Sequence, residues 1–184
     1  MLEISSNTIK ALGIFGRLSE EQEKYFDSLE DKYCQSPNNS LKRDIFRHLT
    51  LTFINDASVT DVRTELDLLC DLKRFLPLRL QAKKAFIIDE VTIPGAQHVA
   101  IEFGLEQTKE LVDFVRKRAG EKTVATWYTK VVWFVPIDNQ QAVIDELSNF
   151  KELVIDDFYL VSNKQDEANT IYTTNQFFSH KIDI

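Results

Sequence analysis

The chain of 184 residues is 43% hydrophobic and carries 29 acidic against 22 basic side chains, for a formal net charge of −7. That content supports one large domain or two small lobes sharing a core, and it suggests neither a disordered chain nor a fibre. The acidic balance excludes a protein that coats nucleic acid through bulk charge, while leaving room for a local basic cleft.

No apolar run approaches the roughly 20 residues needed to span a bilayer, and the opening residues lack a charged segment followed by an apolar core. A soluble cytoplasmic protein without membrane attachment is expected. Cys34 and Cys70 do not form a disulfide framework, and both fall on apolar stripes of predicted helices, as small core residues do. The three histidines, His48, His98 and His180, would all have to converge to make a three-histidine metal site, so no metal or other cofactor is expected.

In chain order, Ala11 to Gly16 is a mostly apolar run closed by glycine, the pattern of a buried strand. Ser19 with Gln22 three residues on opens a helix, with Phe26, Leu29 and Tyr33 on one face and Glu20, Glu21 and Glu23 near its positive end. Ser36 to Ser40 is a loop, and the strand containing His48 follows. Ser58 with Asp61 starts a second helix whose apolar face is Val62, Leu66, Leu69 and Cys70. From Pro77 one long strand is predicted through Leu78, Leu80 and Ala82 to Ile88. Its Lys83-Lys84 pair reads as a bend, a basic rim for an anion, or a solvated strand face.

Ile93-Pro94-Gly95 is a turn, His98 to Phe103 alternates as a strand, and a helix is predicted from Leu105 to Ala119, stopped by Gly120. Trp127 to Val135 is an aromatic and β-branched strand. Asp138 is the expected cap of a short helix carrying Val143 and Leu147, and two closing strands follow near 153–161 and 170–180. The order β-α-β-α-β then β-α-β-α-β-β has the look of a duplicated unit. No Pro/Gly-rich linker divides it, so residues 1–184 read as one bilobal α+β domain: two antiparallel-rich sheets facing a central cleft, with helices packed outside.

The chemistry concentrates in Arg47 to Phe53. Side chains alternate along a strand, so His48, Thr50 and Thr52 share one face while Leu49, Leu51 and Phe53 take the other. An imidazole two residues from a hydroxyl can move a proton and hold an anionic oxygen, which suits phosphoryl chemistry. An isolated His-x-Thr triplet is more often a hydrogen-bonded structural histidine than a catalyst, so context decides.

The opening strand Ala11 to Phe15, the triplet His48-Leu49-Thr50 and the closing pattern Phe158 to Ser162, polar turn, then Ile171-Tyr172-Thr173 together resemble the two-histidine (2H) phosphoesterase superfamily, the RNA 2',3'-cyclic phosphodiesterases or 2'-5' RNA ligases. The resemblance implies a metal-independent phosphodiesterase acting on RNA 2',3'-cyclic phosphate ends or 2'-5' linked oligonucleotides, with His48 and Thr50 catalytic. Its partner would be a nucleotide or RNA end bearing phosphate, and a monomer is expected. Where the family carries a second H-x-T, Lys130 stands 82 residues after His48 at the histidine position and Val132 at the Ser/Thr position. Lysine ordinarily titrates near about 10.4, so Lys130 is expected to clamp phosphate rather than give up a proton. Thr52, Lys130 and Tyr128 are the expected substrate-binding residues, Tyr128 as a platform for a base or, alternatively, as a core aromatic. The departure implies a second reading: the same fold with turnover impaired, binding a nucleotide or RNA end or serving as an interaction module. His98 and His180 are expected to lie outside the site.

Overall fold

The computed structural model describes residues 9–34, 46–90, 95–164 and 170–172. Its centre is β1, Ile9–Leu18, in which Leu12, Ile14 and Leu18 are fully buried. The strand runs past Gly16 because antiparallel partners flank it on both sides: β2, His48–Thr50, and β3, Ile54–Ala57, on one edge, and β8, Glu152–Lys164, on the other. β4, Leu78–Gln81, and β9, Thr170–Tyr172, also pair with β8, completing a six-stranded sheet. Register shifts at both ends of the β1–β8 ladder add local twist and help curl this sheet. Gly13 permits a close crossing there, since a Cβ at this position would lie 2.5 Å from the Thr52 carbonyl oxygen.

The predicted strand from Leu78 to Ile88 is two strands in two different sheets. β4 ends where Ala82 N–H bonds Lys151, and Lys83 N–H bonds Glu102 at the start of β5, Lys84–Asp89. The change of hydrogen-bond partner, from β8 to β6, is what divides the run. β5 joins β6, Gln97–Glu102, and β7, Tyr128–Val132, in an antiparallel three-stranded sheet. The two lysines at the bend are not an open basic rim: Lys83 pairs with Glu106 and Lys84 with Glu102.

Among the described residues four helices cover these sheets. α1, Glu20–Tyr33, is capped by Ser19, whose hydroxyl accepts from Gln22 N–H, and packs on β7. α2, Val59–Leu72, begins with a complete Ser58–Asp61 capping box and lies on β1 and β8. α3, Leu105–Ala119, buries Leu111, Val112 and Val115 and ends at Gly120 with φ of 59°. α4, Gln140–Leu147, covers β5 and β6. Asp138 does not cap it: a 3₁₀ turn over Ile137–Asn139 precedes the helix, and Asn139 sits at its cap without a side-chain hydrogen bond. Cys34 is buried at the end of α1, where burial pushes its thiol up to about 12, and Cys70 is half-buried on α2.

Apolar residues of both sheets, among them Ile14, Leu51, Val99, Ile101, Val131 and Leu153, belong to one core cluster. Among the described residues no helix is long and apolar enough to cross a membrane. His180, the second half of the closing strand and most of the Ile93-Pro94-Gly95 turn lie outside the described residues.

Candidate functional site

Residues directly opposite one another in an antiparallel ladder point to the same face. His48 lies opposite Arg17, and Thr50 opposite Phe15. Arg17 and Phe15 in turn lie opposite Asp157 and Tyr159. This face is therefore rich in rings. The His48 imidazole stacks on Phe15 with centroids 4.2 Å apart, and Phe46 meets it edge-on at 6.1 Å. Arg17 places its guanidinium carbon 5.5 Å from the centroid of Phe46, the ring that also meets His48. It enters a pocket lined by Glu20, Asp156, Asp157 and Tyr159. That pocket is dominated by carboxylates and does not suit a phosphate.

His48 Nδ1 lies 2.9 Å from the Phe46 carbonyl oxygen. A carbonyl only accepts, so Nδ1 carries the proton and Nε2 keeps its lone pair. Burial, opposed by this hydrogen bond and assisted by the positive charge of Lys130, lowers His48 to about 4. At neutral pH it is an uncharged imidazole, able to accept a proton and unsuited to donate one. The same shift ties stability to pH. An unfolded histidine titrates near about 6.5, so the unfolded chain binds more protons between that pH and about 4. Stability from His48 is therefore complete above pH ~6.5 and falls by up to about 3 kcal/mol as pH drops through that window. Burial also lowers His98, adding in the same direction. Urea unfolding at pH 7.5 and 4.5 is expected to show this loss, with a smaller loss in His48→Gln. Equal losses in the two proteins would contradict it.

Thr50 is half-buried beside His48, and its carbonyl accepts from Thr126 Oγ1 at 2.6 Å. Thr52 has a different fate. β2 ends at Thr50, and the chain bridges toward the other half of the molecule, with Thr52 paired to Thr123. Thr52 is fully buried, accepting from Ile14 N–H at 3.0 Å and donating to Glu65 Oε2 at 2.5 Å. Both functions of its hydroxyl serve the core, so the expected alternation breaks off after Thr50.

On β7, Lys130 lies opposite Ala100 and Tyr128 opposite Glu102, on one face of the sheet. The ladder then slips: Val132 is opposite Val99, one residue out of step, and Val131 and Val132 are both fully buried. This bulge sends Val132 to the core side, away from the outlook of Lys130. Lys130 Nζ lies 2.8 Å from Glu90 Oε2 and 5.6 Å from the Trp133 ring centroid. The same carboxylate oxygen lies 2.8 Å from His98 Nε2. His98 Nδ1 accepts from Phe134 N–H at 3.0 Å, so its Nε2 carries the proton and donates to Glu90. Phe134 adopts φ of 55°, a costly conformation for an aromatic residue, and its N–H meets His98 in it. Tyr128 joins Phe86 and Trp127 in an aromatic trio in which Trp127 is 39% exposed.

The two halves of the site meet through backbone and threonine contacts. Thr129 Oγ1 donates to the His48 carbonyl, and Val124 N–H donates to the Leu51 carbonyl. Beneath them Arg47 is fully buried. Its Nε donates to the Val131 carbonyl at 2.5 Å, and its Nη1 lies 2.7 Å from both Glu23 and Asp27. Glu23, in the first turn of α1 as expected, is also buried against this guanidinium. His48 and Thr50 thus stand on β2, and Lys130 and Tyr128 on β7; the two strands are joined through Thr129 and the His48 carbonyl, and the charge of Lys130 is close enough to act on His48. Glu90, His98 and Arg47 are additions that no local pattern marks. Among the described residues no group of three or more His, Cys, Asp or Glu side chains is placed to hold a metal ion.

No protein-family model matches this sequence, and a comparison with curated proteins finds no match. Among solved structures, the crystal structure of E. coli LigT complexed with phosphate matches with a TM-score of 0.50 and 14% sequence identity, over 91% of this chain and 94% of that one. With two antiparallel sheets and four helices among its described residues, and His48 on the short strand β2, this chain has the fold of E. coli LigT.

Proposed function

We propose that the cleft binds the phosphate of a nucleotide or RNA end, as a metal-independent 2H-type site in which turnover is curtailed. The observation that carries this reading is the pairing of Lys130 Nζ with Glu90 at 2.8 Å, at the position where the sequence resemblance expects a second histidine. In-line cleavage of a phosphodiester needs a base for the attacking oxygen and an acid for the leaving one. His48 can serve as the base. A lysine in place of the second histidine is ordinarily a charged clamp and a poor acid at neutral pH, so one partner of the pair is lacking. Binding needs less: the Thr50 hydroxyl and the Lys130 charge for the phosphate, the Nε2 lone pair of His48 to accept from a ribose hydroxyl, and Tyr128 with its aromatic neighbours for a base. Phosphate in the crystal structure of E. coli LigT supports a phosphate-bearing ligand for the shared fold.

Calorimetry with a nucleoside 2',3'-cyclic monophosphate, a 2'-5' linked oligoadenylate and inorganic phosphate tests the reading. Binding of at least one, weakened tenfold or more by Lys130→Met, is expected. Absence of heat with all three would refute a phosphate site and leave an interaction module. The second reading, a working phosphodiesterase, is favoured by the His48 tautomer, whose free Nε2 lone pair is the form a general base requires.

A further inference from the structure

We infer that Glu90 sets the charge selectivity of the cleft, favouring singly charged phosphodiesters over doubly charged phosphomonoesters. This rests on the reading of the cleft as a phosphate site. Glu90 is fixed from several directions. Its backbone N–H bonds Ala96 across the β5–β6 turn, and its Oε2 accepts from His98 Nε2, whose other nitrogen is occupied by Phe134 N–H. His98 is fully buried, and the Glu90 side chain is only 12% exposed. The carboxylate therefore cannot easily swing away when an anion approaches Lys130, whose side chain is 27% exposed.

An incoming phosphate meets a lysine whose positive charge is already balanced. Coulomb energy scales with the product of the charges, so the fixed negative charge of Glu90 repels a dianion about twice as strongly as a monoanion at the same place. A phosphomonoester carries close to two charges above its second pKa of about 6, whereas a cyclic or internal phosphodiester carries one. A free lysine would draw the dianion more strongly. The Lys130–Glu90 pair cancels that advantage and leaves hydrogen bonding to choose the ligand.

The test compares a nucleoside 2',3'-cyclic monophosphate with the matching 3'-monophosphate at pH 8 and low salt, where screening is weak. Glu90→Gln keeps an oxygen to accept from His98 and removes the charge. It is expected to tighten the cyclic diester by about fivefold and the monoester by the square of that factor, about twenty-five-fold. Glu90→Asp, which draws the carboxylate back from Lys130, is expected to shift the ratio the same way by less, and it carries the test if the glutamine variant does not fold. Equal factors for the two ligands, or unchanged affinities in a protein that binds them, would overturn the assignment of Glu90. Failure of the wild type and both variants to bind either ligand would instead overturn the phosphate site itself.

Discussion

Replacing Arg47 with methionine is expected to lower the stability of the fold by about 3–5 kcal/mol, the usual consequence of removing one partner from a buried ionic network. The side chain is fully buried, and α1 supplies three carboxylates to it. Nη1 lies 2.7 Å from Glu23 Oε2 and 2.7 Å from Asp27 Oδ1, while Nη2 lies 2.7 Å from Glu30 Oε1. The Nη2 contact is an ion pair rather than an aligned hydrogen bond, since among the described residues that nitrogen has no hydrogen-bond partner. Methionine fills much of the volume but leaves Glu23 buried without its cation and three like charges along one helix. It also removes the donor that meets the Val131 carbonyl in the β7 bulge. The Arg47 backbone N–H donates to Glu23 Oε1 as well, so the network fixes the start of β2 one residue before His48. Urea unfolding at pH 7 measures the change. A loss below about 1 kcal/mol would mean that the ion pairs only offset their own desolvation. Glu23→Gln, which keeps hydrogen-bonding capacity, is expected to cost less than the arginine substitution.

The second large effect concerns His48. Any turnover of 2',3'-cyclic nucleotides is expected to fall by about 10²–10⁴-fold in His48→Ala, the range a positioned general base contributes. With His48 lowered to about 4, the base form is already dominant at pH 6. The kcat/KM profile is therefore expected to rise as pH increases through about 4 and then stay level, where an unperturbed histidine would give a midpoint near about 6.5. Residual activity equal to the wild type in His48→Ala would remove this side chain from the chemistry. Because kcat/KM reports the free enzyme, a midpoint near about 6.5 would contradict the lowered His48.

Much of the fold was legible because its causes are local. The Ser19 and Ser58 caps, the Leu111, Val112 and Val115 stripe and the Gly120 stop depend on residues a few positions apart, and the structure has each of them. Strand identity was legible for the same reason, but strand limits were not. The run from Leu78 to Asp89 has one continuous apolar character, and only the exchange of partner from Lys151 to Glu102 divides it between two sheets. The alternation that places Thr52 beside Thr50 holds only while the chain remains a strand. After Thr50 it bends toward Thr123, and the Thr52 hydroxyl enters the core. Val132 escapes the pattern through a bulge that a single strand's sequence does not reveal.

By itself, then, the sequence determined an α+β chain in a repeated β-α-β order, a strand presenting His48 and Thr50, and a lysine where the resemblance expects a second histidine. These follow from side-chain periodicity, capping and spacing, which act over a few residues. The tertiary structure alone decided the protonation state of His48, the neutralisation of Lys130 by Glu90, the tautomer of His98 and the burial of Arg47 under the site. Each depends on desolvation or on charged and polar groups brought close from 8 to 84 positions away in the chain, and electrostatic energy is set by distance in space and local dielectric rather than by order along the backbone.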